Sequence, residues 1–291
     1  MFRILHNCFK IDDETFDQIV IEFTHFFKFK VKSLRILKYR YILSSLFMSF
    51  SSLNDFFPQE LRDLISNPET PIVNVLSLPY FSQTARIEIP QVTKYLSYHS
   101  KELLKLAFGK EGKISSTAYS CLLLGEPDIL LPLFHDNAFT QTAADVLSDP
   151  NSSSLKIGRL ASITLICLAK LNESIFKYCG FLFNFFKRCS NPSAYDFLTT
   201  ICSNDSSFSN LQFWLNKIQF SDSLLTEFDY IDYSIEFPTN SNFEIYKDQK
   251  IIQIRCLYEL VSRFCENHIL KKTILTPKLA TILQKQFASK P

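Results

Sequence analysis

Between Cys179 and Asn216 the chain reads CGFLFNFFKRCSNPSAYDFLTTICSNDSSFSNLQFWLN. Around and through this stretch apolar residues recur at steps of three and four, broken only by short polar turns, which is the signature of helices with one buried face. Ile175, Phe176, Cys179, Leu182, Phe183 and Phe186 predict an amphipathic helix closed by Lys187 and Arg188, cations that suit the negative end of the helix dipole. Asn191 followed by Pro192 predicts the start of a second helix, because the Asn side chain accepts a free backbone N–H and Pro has none to satisfy. Its inner stripe is Ala194, Leu198, Ile201 and Cys202. After Asn204 to Ser207 a third helix is expected to bury Phe208, Leu211, Trp214 or Leu215, and Ile218, with Asn216 ending it.

Composition agrees with a helical interior. The 291 residues are 46% hydrophobic and 21% charged, which excludes a largely disordered chain, and 29 Phe and 12 Tyr demand packing. Five Gly and 12 Pro are too few for a turn-rich sandwich or propeller. Net charge is +2, so the molecule as a whole has no pull toward nucleic acid. Locally, Lys28, Lys30, Lys32, Arg35, Lys38 and Arg40 form a basic run, whereas residues 229–246 form an acidic loop. Each reads as a solvated face or as a contact for a partner of opposite charge. The eight Cys show no C-x-x-C pair and fall mostly on apolar stripes, which implies small reduced core residues and a cytoplasmic or nuclear address. No signal peptide is evident, and no apolar run is long enough for a transmembrane segment.

Along the chain, helices are expected over 12–27 and about 34–53, before Pro58, Pro68, Pro71 and Pro79 break the chain into short pieces, of which 59–65 and 72–78 are expected to be ordered turns. That proline-rich stretch suggests an N-terminal helical segment over 1–80 and a second region over 81–291. From Pro90, Val92, Tyr95, Leu96, His99, Leu103 and Leu106 predict one helical stripe ended by Phe108-Gly109. Ile114 to Leu124 follows, then a short helix from Pro127 that Pro132 is expected to bend or end. Helices over 138–147 and 155–171 come next, the latter apolar nearly all round and so an inner one. A long helix over 247–267 would face inward with Ile251, Ile254, Tyr258, Val261 and Cys265, and Pro277 would start a terminal helix. Periodicity alone leaves an α-solenoid and an irregular helical bundle open.

A search for chemistry finds little. Gly109-Lys-Glu-Gly-Lys113 falls short of a phosphate-binding loop, since Ala107 and Ile114 occupy positions that need Gly and Ser or Thr. The five His stand apart from any metal-ligand spacing, and His99 and His135 read as partly buried or turn residues. No catalytic, cofactor or metal residue is expected. Only a Cys or Ser paired with a His across the fold would make a hydrolase.

The run NPSAYDFLTTICSND at 191–205, followed by Trp214-Leu215-Asn216, resembles a central part of the SAPS domain. Similar pieces occur in order at 89–108, 118–134, 160–171 and 251–267, so the resemblance covers roughly 89–267. The first eighty residues match that family poorly, and the long acidic tail of many members is lacking. The resemblance implies an all-α, armadillo/HEAT-like α-solenoid of irregular helical repeats. It further implies a non-catalytic regulatory or scaffold subunit that binds a type-6-like serine/threonine protein phosphatase catalytic subunit, directs it to substrates, and holds further regulatory proteins. Candidate partner-binding residues are Lys187, Arg188, Asn191, Asp196 and Trp214, with Asp196 readable also as a first-turn acid and Trp214 as a packing residue. The alternative is an armadillo-like adaptor that binds acidic protein or lipid through the 28–40 basic patch.

Overall fold

The computed structural model describes residues 57–87, 89–230 and 243–288, so the helices expected over 12–27 and 34–53, the 28–40 basic patch and most of the acidic loop lie outside the described residues. Chain contacts divide it at Pro58, and the unit from Gln59 onward is described here. Its regular structure is helical throughout the described residues. Residues 59–85, expected to be broken by proline, form three short helices: α1 (Gln59–Ser66), α2 (Ile72–Leu76) and α3 (Phe81–Ala85). Leu61, Ile72, Leu76 and Phe81 are wholly buried there.

The predicted stripe over 90–106 is two helices, α4 (Pro90–Tyr98) and α5 (Ser100–Ala107), jointed at His99. The joint is held from outside the helix. The His99 Nε2 donates to the Pro68 carbonyl at 2.8 Å, the Tyr95 hydroxyl to the Thr70 carbonyl at 2.6 Å, and the Tyr98 hydroxyl to Glu69 at 3.0 Å. Three side chains from one turn thus grip the 68–70 loop, and α1 packs on α4 beneath them.

α6 (Lys113–Leu122) pairs with α5 and ends at Gly125, whose φ of +73° suits glycine. α7 (Pro127–His135) does not stop at Pro132. A proline inside a helix deprives the carbonyl four residues earlier of its amide partner, here that of Asp128. The Ser97 hydroxyl of α4 donates to that carbonyl at 2.5 Å, so a side chain replaces the missing N–H. α8 (Ala138–Ser148) follows from Asn137, which sits in the left-handed region at φ 57°.

α9 (Ser154–Leu171) is the expected inner helix, with Ile157, Leu160, Ile163, Cys167 and Leu168 buried. It also buries Arg159, only 6% exposed. The Arg159 Nη1 donates to the Ala107 carbonyl and to the Ser115 hydroxyl, each at 2.5 Å, and the guanidinium lies 5.3 Å from the centre of the Tyr119 ring. A cation here meets the negative C-terminal end of α5, which offsets part of its desolvation.

The segment Asn172–Arg188 is expected to be an α-helix but winds as a 17-residue 3₁₀ track, interrupted at Cys179 (φ −89°, ψ 23°). With three residues per turn, Phe176, Cys179, Leu182 and Phe185 fall in one line, and all are buried. Phe183, placed inward by the α-helical reading, is only half buried because the line has shifted. This track packs against each of α7, α8 and α9 before it and α10 (Pro192–Ile201), α11 (Ser209–Lys217) and α12 (Phe220–Tyr230) after it. Phe186 meets Phe220 at 4.6 Å, and Phe185 meets Phe197 at 4.4 Å between ring centres.

The last helices are α13 (Phe243–Glu266), α14 (Lys271–Ile274) and α15 (Pro277–Ala288). α13 faces inward with Leu257, Leu260, Phe264 and, as expected, Val261, while Ile251 and Tyr258 of the predicted stripe are exposed and Ile254 and Cys265 half-buried. Both faces carry apolar residues, so the period alone could not choose between them. No helix among the described residues is long and apolar enough to cross a membrane.

Candidate partner-binding surfaces

The five residues singled out in the sequence divide by what their polar atoms do. The Asn191 Oδ1 accepts from the amides of Ser193 and Ala194 at 3.0 and 3.3 Å, as expected of a cap, and its Nδ2 reaches the Ser154 hydroxyl at 3.1 Å. The Arg188 Nε donates to the Leu147 carbonyl at 2.9 Å and its Nη2 to the Asp149 carbonyl, closing the end of α8 from forty residues away. Trp214 is half buried against the Phe176 ring, 5.4 Å between centres. Arg188, Asn191 and Trp214 therefore act in the scaffold, whereas Lys187 and Asp196 are exposed. Beside Asp196, the Tyr195 hydroxyl donates to Glu259 on α13 at 2.6 Å, and burial together with that carboxylate raises the Tyr195 pKa.

The polar residues of the central stretch mostly tie helix ends together. The Asn267 Nδ2 donates to the Cys202 and Ser203 carbonyls and to Gln212, at 3.0 to 3.2 Å, while its Oδ1 accepts from the Ile269 and Leu270 amides, both at 2.8 Å. Gln212, buried on α11, adds bonds to the Ile201 and Ser203 carbonyls. Asn216, expected only to end its helix, donates to the Ile269 carbonyl at 2.8 Å and accepts from the Thr273 hydroxyl at 2.9 Å. Asn267 carried no sequence signal beyond its place after a helix. Its partners lie sixty-odd residues earlier, beyond any local pattern.

A groove that sequence reasoning missed runs between α4 and α7, with a volume of about 660 Å³. Pro90, Leu131 and Pro132 give it apolar walls, and Lys94, Asp128 and His135 are its polar edge. The residues come from one face of each helix, spaced by three and four, so two helical stripes leave the furrow where their side chains do not meet. The prolines are part of its shape, since Pro90 and Pro127 both begin helices and Pro132 continues one only because Ser97 satisfies Asp128.

The groove holds a serine and a histidine, but the Ser97 hydroxyl is donated to the Asp128 carbonyl rather than to His135. Cys121, Cys179 and Cys189 are buried and each pushed up to about 12 by desolvation, which keeps them as thiols. Among the described residues no group of His, Cys, Asp and Glu is arranged to hold a metal ion. Comparison with protein-family models, with curated proteins and with solved structures finds no match for this chain.

Proposed function

We infer that this chain is a non-catalytic helical scaffold that binds a partner protein in the furrow between α4 and α7. The observation that carries this reading is the furrow itself: about 660 Å³, open, with apolar walls and charged groups of both signs at its edge. Such a lining can accept the side chains of a protein segment while Lys94 and Asp128 fix its register.

The partner is a serine/threonine phosphatase catalytic subunit of the type-6 class, which this scaffold directs to substrates by raising their local concentration. Support for that finer assignment is the ordered resemblance over 89–267, a span that includes both walls of the furrow. Short-range pairing of α4 with α5, α5 with α6, α7 with α8 and α8 with α9 supports an armadillo-like solenoid, to which the 3₁₀ track adds a centre.

The test is direct binding between the purified full chain and a purified type-6-class catalytic subunit. A micromolar or tighter complex is expected, weakened about tenfold or more by Lys94→Glu combined with Asp128→Lys. A Lys187→Glu, Asp196→Lys pair serves as a second probe: if it alone weakens binding, the central stretch is the contact. Absence of a complex at about 100 μM, on the order of a hundred times a micromolar Kd, removes the phosphatase reading.

A further inference from the structure

We propose that Ser116 is a phosphorylation site whose phosphate is received by the buried guanidinium of Arg159. This inference does not depend on the identity of any partner protein.

Arg159 is 6% exposed, and among the described residues no carboxylate lies within ion-pair distance of it. A buried cation normally has an anion beside it, because carbonyls and hydroxyls return only part of the hydration it loses. Here Nη1 is satisfied by Ala107 and Ser115, while Nε is buried without a hydrogen-bond partner. The remaining nitrogen, Nη2, lies 3.4 Å from the Ser116 hydroxyl, a long and weak contact. Ser116 is exposed. The guanidinium nitrogen with the weakest partner thus faces a hydroxyl, on an exposed serine, that can be esterified.

Phosphorylation would supply the missing counter-charge. A kinase transfers the γ-phosphoryl group of ATP to Ser116 Oγ: the new O–P bond forms as the bond to ADP breaks, and the hydroxyl proton passes to the kinase's base. The product carries close to two negative charges and strong acceptor oxygens within reach of Nη2. Lys113, three residues earlier and therefore on the same side of α6, adds a second cation. Lys113 also gives the kinase class, because a basic residue three before the acceptor suits an enzyme with an acidic peptide cleft, and Lys110 lies one step further out. The modified side chain would tie α6 to α9, across which Arg159 already bridges to α5.

The experiment treats the purified full chain with a basophilic serine kinase and MgATP, maps the phosphate by mass spectrometry, and uses Ser116→Ala as the control. Phosphate on Ser116, lost in the control, is expected, with a melting midpoint raised by about 2–4 °C. The same product is titrated by phosphorus NMR, where an unpaired phosphoserine has its second pKa at about 6. A guanidinium neighbour lowers it, and Arg159→Gln should return it toward 6 and abolish the rise in melting midpoint. If Arg159→Gln does not fold, the titration of the phosphorylated Lys113→Gln variant decides, because its phosphate should still titrate below about 6 when Arg159 is the remaining cation. Failure of the folded chain to accept phosphate at Ser116, or a phosphate that titrates at about 6 with an unchanged or lowered midpoint, overturns the proposal.

Discussion

At the scale of single residues, long polar side chains tie together helix ends that lie far apart in the chain. Arg188 holds two carbonyls at the end of α8, so Arg188→Ala should destabilise by about 1.5–3 kcal/mol in urea unfolding, the range for bonds with a charged donor. Lys187→Ala beside it, exposed, should stay within about 0.5 kcal/mol. Equal effects of the two changes would contradict the tether. Ser97 offers a stricter case, since its hydroxyl matters only because Pro132 removes an amide. Ser97→Ala should cost about 1 kcal/mol in the natural background and much less beside Pro132→Ala, where the helix supplies its own donor to Asp128. A double-mutant cycle reads that coupling as a difference, and additive costs would refute the substitution of hydroxyl for amide.

Among the elements, the 3₁₀ track sets the packing. A 3₁₀ helix rises about 2.0 Å per residue against about 1.5 Å for an α-helix, so the stretches on either side of the kink at Cys179 are longer than α-helices of the same residue count, and together they touch neighbours both before and after them in the chain. Its aromatic side chains fill the contact. Phe186→Ala should therefore cost about 3–5 kcal/mol, whereas Phe213→Ala on α11, 57% exposed, should have little effect in the same unfolding assay. The segments it joins are closed by Asn267. Asn267→Asp keeps the size but turns the donor end into an acceptor facing the Cys202 and Ser203 carbonyls, and is expected to cost at least as much as Asn267→Ala, about 3 kcal/mol or more. Finding the Asp variant as stable as the parent would show that the amide donor is unused. The caps and helix starts at this scale were legible beforehand: Asn191 with Pro192, Pro127, Gly125 and Pro277 all act within one turn of themselves. The winding of 172–188 was not legible, because its steps of three and four are the pattern of an α-helix and nothing local in the sequence marks the tighter turn.

For the molecule as a whole, buried acids of the thiol and phenol type define an alkaline limit. Cys121, Cys179 and Cys189 move from 9.0 to about 12, and Tyr95 from 10.0 to about 12, in each case first through burial. A folded-state pKa above the unfolded one means the unfolded chain loses its proton first. The stability these groups contribute is thus complete below about pH 9 and is lost as pH rises toward about 12. Unfolding followed by circular dichroism should show the midpoint of urea denaturation falling across that window, and a disulfide thiol reagent at pH 8 should react with these three cysteines only as fast as the chain opens. Rapid labelling of all three in the native state would place them at the surface instead.

The sequence by itself determined the helical class, the limits of α6, α8 and α9, the starts of α7, α10 and α15, and the inner stripe of α10, because those properties rest on backbone preferences and spacings within a turn or two. Tertiary structure decided the rest. It split the stripe at His99, carried α7 through Pro132, chose the Leu257–Phe264 face of α13 over the Ile251–Tyr258 face, and found partners for Arg159, Arg188 and Asn267. Each of these turns on a polar atom or an apolar face whose complement lies some thirty to sixty residues away in the chain. A buried hydrogen-bonding group must be satisfied somewhere, but only the packed fold says where.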